Sequence, residues 1–405
     1  MKGLLYYGKD ELKFSNEIPR PKITHPEEVL IKVHWCGICG TDLLEYVKGP
    51  VFFDKVGPHG HPISGIRLPQ TMGHELSGEI VEIGSDVAKI RSDLNIGDNV
   101  VCEPTNYCKD KKRWPESDSS LRALKTGTSE CEACRLGLTN LCEDNGLFGL
   151  GVHNGGLAEY IVVAAHHIVK VPSFVPLDCA ALVQPLSVSY HAFRVNDFKE
   201  GSSALIIGAG AIGLGCILAA NAFDASKVVC SEPAKIRREQ AEKFGVTPFN
   251  PMDYRSNEEA IRELKKLSPG GSGFDYAFDC SGLPITFNTG LAALKPRGTL
   301  VNLAIWPHKP IDFYPMAMTS GEKRITGSMC YTIEDFEGII DCMAKGKMPI
   351  EHLREFITKK VPIEDGVEGG FIDLIKNKDI HIKILISPMT ENGEITEEGY
   401  IEEQQ

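Results

Sequence analysis

The stretch SALIIGAGAIG at 203–213 decides the fold. An apolar strand, SALII, runs directly into a turn with glycines at 208, 210 and 213, and LGCILAANAF then continues as an apolar helix. Each glycine in G-x-G-x-x-G has its own task at a strand-to-helix junction. The first permits the tight turn, the second lets backbone approach a pyrophosphate, and the third lets helix and strand pack closely. The helix start adds free N–H groups and the positive end of a dipole. The motif alone is weak, and its context gives it weight: KVVCSE (227–232) is a second strand ending in Glu232, about 20 residues beyond the turn, where an acidic residue accepts ribose hydroxyls. Gly208, Gly210, Ile212, Gly213 and Glu232 are therefore expected to bind a dinucleotide, NAD in preference to NADP because a carboxylate repels a 2′-phosphate. Arg237, between Lys235 and Arg238, is the group able to receive such a phosphate; the alternative makes all three exposed charges on the next helix.

Outward from this turn, REQAEKFG (238–245), FDYAFDCSG (274–282) and GTLVNLAIW (298–306) continue the strand and helix alternation, which predicts a doubly wound parallel sheet over 180–327. Upstream, VLIKVHWCGICG (29–40), HELSGEIVEIG (74–84) and GDNVVCEP (97–104) read as short strands between glycine-rich turns, a mostly β domain over 1–179. The polar segment 105–130 reads as a surface insertion. Residues 328–387 return to mixed structure and end on the strand-like HIKILIS, while 388–405, with six glutamates and no basic residue, reads as a disordered tail.

A length of 405 residues suits two domains, and 42% hydrophobic with 24% charged residues is ordinary for a globular chain. A net charge of −12 argues against nucleic acid and against an anionic membrane surface, and no apolar run reaches the roughly 18–20 residues of a membrane span. The start, MKGLLYYGKDELKF, lacks the apolar region of a secretory signal. Thirteen cysteines, an odd number, mostly lie in apolar stretches such as those holding Cys216, Cys230 and Cys280, so a reducing cytoplasm with clustered cysteines as metal ligands is expected.

Two cysteine-bearing groups point to zinc. CEACRLGLTNLC supplies Cys131, Cys134 and Cys142; the fourth thiolate is Cys108, in a loop, or its competitor Cys102, in an apolar strand. Four thiolates close a tetrahedral zinc into a structural site; a redox C-x-x-C is the other reading. Cys39 in CGICGTDL and His74 with Glu75 in MGHELSG lie too far apart for a local finger, but as convergent ligands they suit an open site that lowers an alcohol's pKa or polarises a carbonyl. Thr41 then offers a hydroxyl for the proton, and Asp42 a carboxylate to orient His74; both also suit the start of a helix. His59 and His61, in GPHGHPISG, read as solvated loop residues, and His191 as a packed one.

With these residues in order, the chain resembles the medium-chain zinc-dependent alcohol and polyol dehydrogenases, most closely the fungal-type 2,3-butanediol dehydrogenases and diacetyl reductases. IPRPKI, GGLAEYIVV, ALVQPLSVSYHAF, FDCSG and GEKRITGSMCY carry the likeness. It implies a GroES-like catalytic domain completed by the C-terminal segment around a Rossmann domain, two zincs per chain, NAD, a small alcohol or ketone substrate such as 2,3-butanediol, acetoin or diacetyl, and a homodimer or homotetramer. It also favours Cys108, which follows the EP pair in EPTNYC, over Cys102. Two departures stand out. Polyol-type relatives usually carry glutamate where this chain has Gln184, a neutral and weaker ligand, for which Glu75 is the candidate replacement on the metal. A histidine that passes the proton to solvent is often found where Leu44 stands. The alternatives left open are a sorbitol- or xylitol-type dehydrogenase and a weakly catalytic dinucleotide-binding protein with a degraded zinc centre.

Overall fold

Ser203–Ile207 is a strand whose five residues are all buried, as expected of a run with no polar face. In the computed structural model, which describes residues 1–56, 60–61, 63–115, 130–306, 309–391 and 393–396, this strand lies between two parallel neighbours, Lys227–Ser231 and Phe274–Asp279. Thr247–Phe249, Leu294–Asn302 and Arg324–Gly327 complete a six-stranded parallel sheet. Numbered along the chain, its strands lie in the order 3-2-1-4-5-6, the doubly wound arrangement in which ligands bind where the order reverses, beside the first strand. Leu205, Val229, Phe274, Ala277, Leu291 and Leu300 form its core.

A second, mostly antiparallel sheet is built around the ten-residue strand Glu28–Gly37, long enough to be paired by Tyr160–Ala164, Glu75–Ile83 and the C-terminal strand Lys383–Ser387. Asn99–Cys102 and Ile168–Lys170 extend it on one side and Ile357–Pro362 on the other. The C-terminal segment thus completes the N-terminal β domain, with Ile386 opposite Cys36 and Leu385 opposite Gly37.

The chain divides into two compact units: Met1–Gln184 with Thr332–Ile340 and Leu353–Gln405, and Pro185–Tyr331 with Asp341–His352. This corrects the expected 179/180 boundary and the reading of 328–387 as one returning segment, because the helix Ile333–Ala344 runs across the division. Apolar periodicity locates a helix's buried face but not the core it joins.

Two further expectations are corrected. The tail is not disordered from 388: Thr390–Glu391 pairs with Glu394–Ile395, and Thr390 accepts hydrogen bonds from Lys2 Nζ and donates one to Glu364. Lys2, distant in sequence, meets the acidic segment's polar groups; residues 397–405 lie outside the described residues. The start of the supposed surface insertion, Cys108–Arg113, is instead a turn that exposes Lys109 and Lys112 but buries Cys108 and Asp110, with Arg113 paired to Glu28 at 2.9 Å. Residues 116–129 of that segment lie outside the described residues. Among the described residues, no helix is long and apolar enough to cross a membrane.

Candidate active site and metal centres

The three glycines of the turn differ in what surrounds them. Gly208 sits at φ +97°, and a Cβ there would lie 2.4 Å from Ser281 Oγ. A Cβ on Gly213 would come within 1.9 Å of the Gly208 carbonyl oxygen, so this glycine is a packing requirement. Gly210, the N-cap of the helix Ala211–Ala222, faces open space with nothing within 4 Å of a Cβ. That clearance beside a helix N-terminus fits a pyrophosphate. Ile212 lies in the helix's first turn, its carbonyl accepting Ser189 Oγ at 2.9 Å.

Glu232 is buried at the end of its strand, and its carboxylate braces the turn: one oxygen accepts Ala209 N and the other Ala234 N, both at 2.8 Å. Each oxygen retains a second lone pair for a ribose hydroxyl. Arg238 is tied to the backbone carbonyls of Glu232 and Pro233, and Arg237 is half-buried in the first turn of Lys235–Glu242.

In the first unit, the antiparallel ladder closes the gap of 35 residues between the two candidate ligands. Gly37 lies opposite Glu75, which sets GHE beside CGICG. Cys39 caps the helix Gly40–Lys48, and its N–H donates to Asp42 Oδ2 at 2.9 Å. Asp42, fully buried, turns its other oxygen to His74 Nδ1 at 3.5 Å, while Thr41 Oγ1 lies 3.4 Å from His74 Nε2. Ligand atoms of Cys39, His74 and Glu75 all lie within 4.8 Å of one another. Burial opposes an imidazolium at His74, yet Asp42 and Cys39 outweigh it and raise its pKa. The pocket's field favours a cation, as zinc requires. Gln184 is buried in the first turn of the helix Val183–Val195, and Leu44 is half-buried in Gly40–Lys48.

Glu75 carries a partner that the sequence reading missed. Lys383 Nζ donates to both its carboxylate oxygens and to the Ile38 carbonyl. Burial works against a charged Lys383, but Glu75 more than offsets it and raises the lysine's pKa. The available signal was a single lysine inside the apolar run HIKILIS.

Cys108, Cys131, Cys134 and Cys142 converge within 4.8 Å, with sulfur separations of 3.7 Å (Cys108 to Cys142) and 3.8 Å (Cys131 to Cys142). Sulfurs bound at 2.3 Å around a tetrahedral zinc lie about 3.8 Å apart, so the spacing fits that ion and is far too long for a disulfide. Burial favours the neutral thiol at Cys131, but backbone N–H groups outweigh it and bring its pKa down to about 7, while burial pushes Cys134 up to about 12. Cys102 is buried in its strand, outside this cluster. His61 corrects the solvated reading: it is 3% exposed, with Nδ1 accepting Ile63 N; His59 lies outside the described residues.

A four-thiolate cluster, an open Cys–His–Glu cluster and a doubly wound domain with a glycine-rich turn define a zinc-binding dehydrogenase that uses a dinucleotide. The chain matches the family model "Alcohol dehydrogenase GroES-like domain" over residues 25–173 and "Zinc-binding dehydrogenase" over 211–345. It is 48% identical to a Saccharomyces cerevisiae protein named as a probable diacetyl reductase, (R)-acetoin forming, over 98% of this chain and 93% of that one. With the (R,R)-butanediol dehydrogenase of the same yeast it shares 45% identity over 96% and 98% of the two chains. The crystal structure of 2R,3R-butanediol dehydrogenase from Bacillus subtilis superposes with a TM-score of 0.82 at 30% identity, covering 96% of this chain and 99% of that one. The chain belongs to the zinc-dependent alcohol dehydrogenase family. It is an oxidoreductase whose cofactors are zinc and NAD, and the expected GroES-like and Rossmann folds are borne out.

Proposed function

We propose that this enzyme transfers hydride between NAD(H) and a small vicinal diol or hydroxyketone of the 2,3-butanediol, acetoin and diacetyl series. The observation that carries the chemistry is the Cys39–His74–Glu75 cluster with the Thr41 hydroxyl 3.4 Å from His74 Nε2. The likeness to the two yeast proteins supports the substrate class.

When bound, zinc supplies Lewis acidity toward an alcohol or carbonyl oxygen, and NAD+ accepts the hydride. In the oxidative direction Thr41 passes on the hydroxyl proton that the alcohol gives up. Cys39 and His74 hold the metal, with Gln184 or Glu75 completing the shell. Asp42 orients the His74 ring from the Nδ1 side, so Thr41 and Asp42 serve opposite edges of one imidazole. Leu44, standing where a relay histidine is often found, offers no acceptor for that proton, which water would carry from Thr41. Gly208, Gly210, Ile212 and Gly213 cradle the pyrophosphate, Glu232 receives the ribose, and Arg237 stands at its edge.

The same reading has the chain act as a homodimer or homotetramer, in a reducing cytoplasm; the second part is supported by thirteen cysteines of which none is in a disulfide. Zinc content measured alongside NADH oxidation with acetoin, diacetyl and xylulose tests the proposal. Turnover of the four-carbon ketones in zinc-loaded protein is expected. Turnover of xylulose alone would move the enzyme to the polyol class, and NADH binding without turnover would leave a cofactor-binding protein.

A further inference from the structure

Outside both cysteine clusters, the first unit buries a third group of ligand-type side chains. Asp110, Glu103 and His167 are each 2% exposed or less, and the His166 side chain is 7% exposed. His167 Nε2 lies 3.0 Å from both Asp110 oxygens, and His166 Nε2 lies 3.4 Å from Asp110 Oδ1. The two imidazole rings are 4.2 Å apart, so both turn an Nε2 toward one carboxylate.

We propose that Asp110, His166 and His167 form a third metal site, for a divalent cation that takes nitrogen and oxygen ligands, such as zinc. Ligand atoms held at 2.0–2.1 Å around a tetrahedral ion lie about 3.4 Å apart, close to the 3.0 and 3.4 Å that separate Asp110 from the two ring nitrogens, and all three ligand atoms lie within 4.8 Å of one another. The second coordination layer is also present. His167 Nδ1 is 2.9 Å from Glu103 Oε2, and Glu103 is itself fixed by Thr105 N at 2.9 Å. A carboxylate behind the imidazole keeps the proton on Nδ1 and turns the Nε2 lone pair forward, as in metal-bound histidines.

That lone pair faces the lone pairs of Asp110, so something positive belongs between them: a proton or a metal ion. A proton answers for His167 alone. His166 is left over. Beyond its approach to Asp110, neither ring nitrogen has a hydrogen-bond partner among the described residues. Burying an imidazole without a hydrogen bond is costly, and a metal ion shared with Asp110 satisfies it. Charge points the same way. Of the three carboxylates Glu28, Glu103 and Asp110, the Arg113 guanidinium reaches two, at 2.9 Å from Glu28 and 3.7 Å from Asp110, and Lys109 is exposed to solvent. Two negative charges remain, matching a divalent ion.

Such an ion would pin the turn Cys108–Arg113, which delivers the first thiolate of the four-cysteine cluster, to the turn Ala165–His167 between two strands of the sheet. The test is metal stoichiometry of the full-length protein, loaded with zinc and dialysed, for the parent and His166→Gln. This variant removes a ring that makes no hydrogen bond, and circular dichroism checks its fold. Three zinc ions per chain in the parent and two in His166→Gln are expected. Cobalt substitution gives an independent readout: the variant keeps the thiolate-to-cobalt charge-transfer absorption of both cysteine-bearing sites and loses only a component without sulfur character. Two ions per chain in the parent at saturating zinc, or a count unchanged by His166→Gln, would overturn the proposal and leave a His167 imidazolium between the carboxylates.

Discussion

Lys383 Nζ lies 2.7 Å from each carboxylate oxygen of Glu75, in a pair whose side chains are 4% and 0% exposed. The lysine comes from the C-terminal strand and the glutamate from the residue after His74, so the chain's end fixes one wall of the metal cluster. Removing one member of a buried pair leaves a bare charge, which typically costs about 3–5 kcal/mol. Lys383→Met is expected to lose stability on that scale in urea unfolding of the zinc-loaded protein. Adding Glu75→Gln to it should restore part of the loss, because no uncompensated charge remains. Single and double variants with equal losses would mean that the lysine acts through packing alone.

Thr41 and Asp42 address opposite edges of His74, at 3.4 and 3.5 Å, so their removal should differ in kind. Thr41→Val keeps the shape and deletes the hydroxyl. It is expected to retain both cysteine-site zincs while kcat falls by about 10²–10⁴-fold, the range for loss of a proton-transfer group, and Thr41→Ser should recover most of it. Unchanged kcat in Thr41→Val would remove the residue from the proton path.

The glycine turn separates binding from packing. At Gly210 a Cβ meets nothing within 4 Å, whereas at Gly213 it meets the Gly208 carbonyl oxygen at 1.9 Å. Gly210→Ala should therefore fold, with only the small cost of alanine at a helix N-cap, but bind NADH about tenfold or more weakly, a loss of at least about 1.4 kcal/mol. Gly213→Ala should unfold earlier on heating even without cofactor. Equal NADH affinity in Gly210→Ala and the parent would mean that the open space is not the pyrophosphate seat.

Much of this was legible in the sequence because local patterns carried it. SALIIGAGAIG is strand, turn and helix by composition alone, and cysteines spaced as in CEACRLGLTNLC can converge on an ion without knowledge of the fold. Lys383 and the Asp110–His166–His167 group were not legible, because partners 308 and 57 residues apart meet only through strand pairing and the course of connecting turns. The polar text of NYCKDKKR reads as surface, yet Asp110 is fully buried because histidines from a distant turn meet its charge. The domain boundaries moved for a related reason: one amphipathic helix, Ile333–Ala344, runs across the division between two cores.

His153 provides a test by pH. Burial, reinforced by the positive charge of Arg113, lowers its pKa from the ordinary 6.5 to about 4, and its Nδ1 lies 3.0 Å from the Asn154 carbonyl oxygen. A neutral ring donates that hydrogen bond. Between these two pKa values the unfolded chain binds the proton and the folded chain does not, so stability rises with pH across this window. The contribution is fully present above 6.5, is lost as pH falls toward 4, and changes no further below that. His153→Gln keeps a hydrogen-bond donor and removes the titration. Urea unfolding of both proteins at about pH 7.5 and about pH 5 should show the parent losing more stability than the variant, with at most about 1.4 kcal/mol per pH unit between them. Parallel losses would mean that His153 is protonated as readily in the folded chain as in the unfolded one, and that the acid sensitivity of this domain resides in other groups.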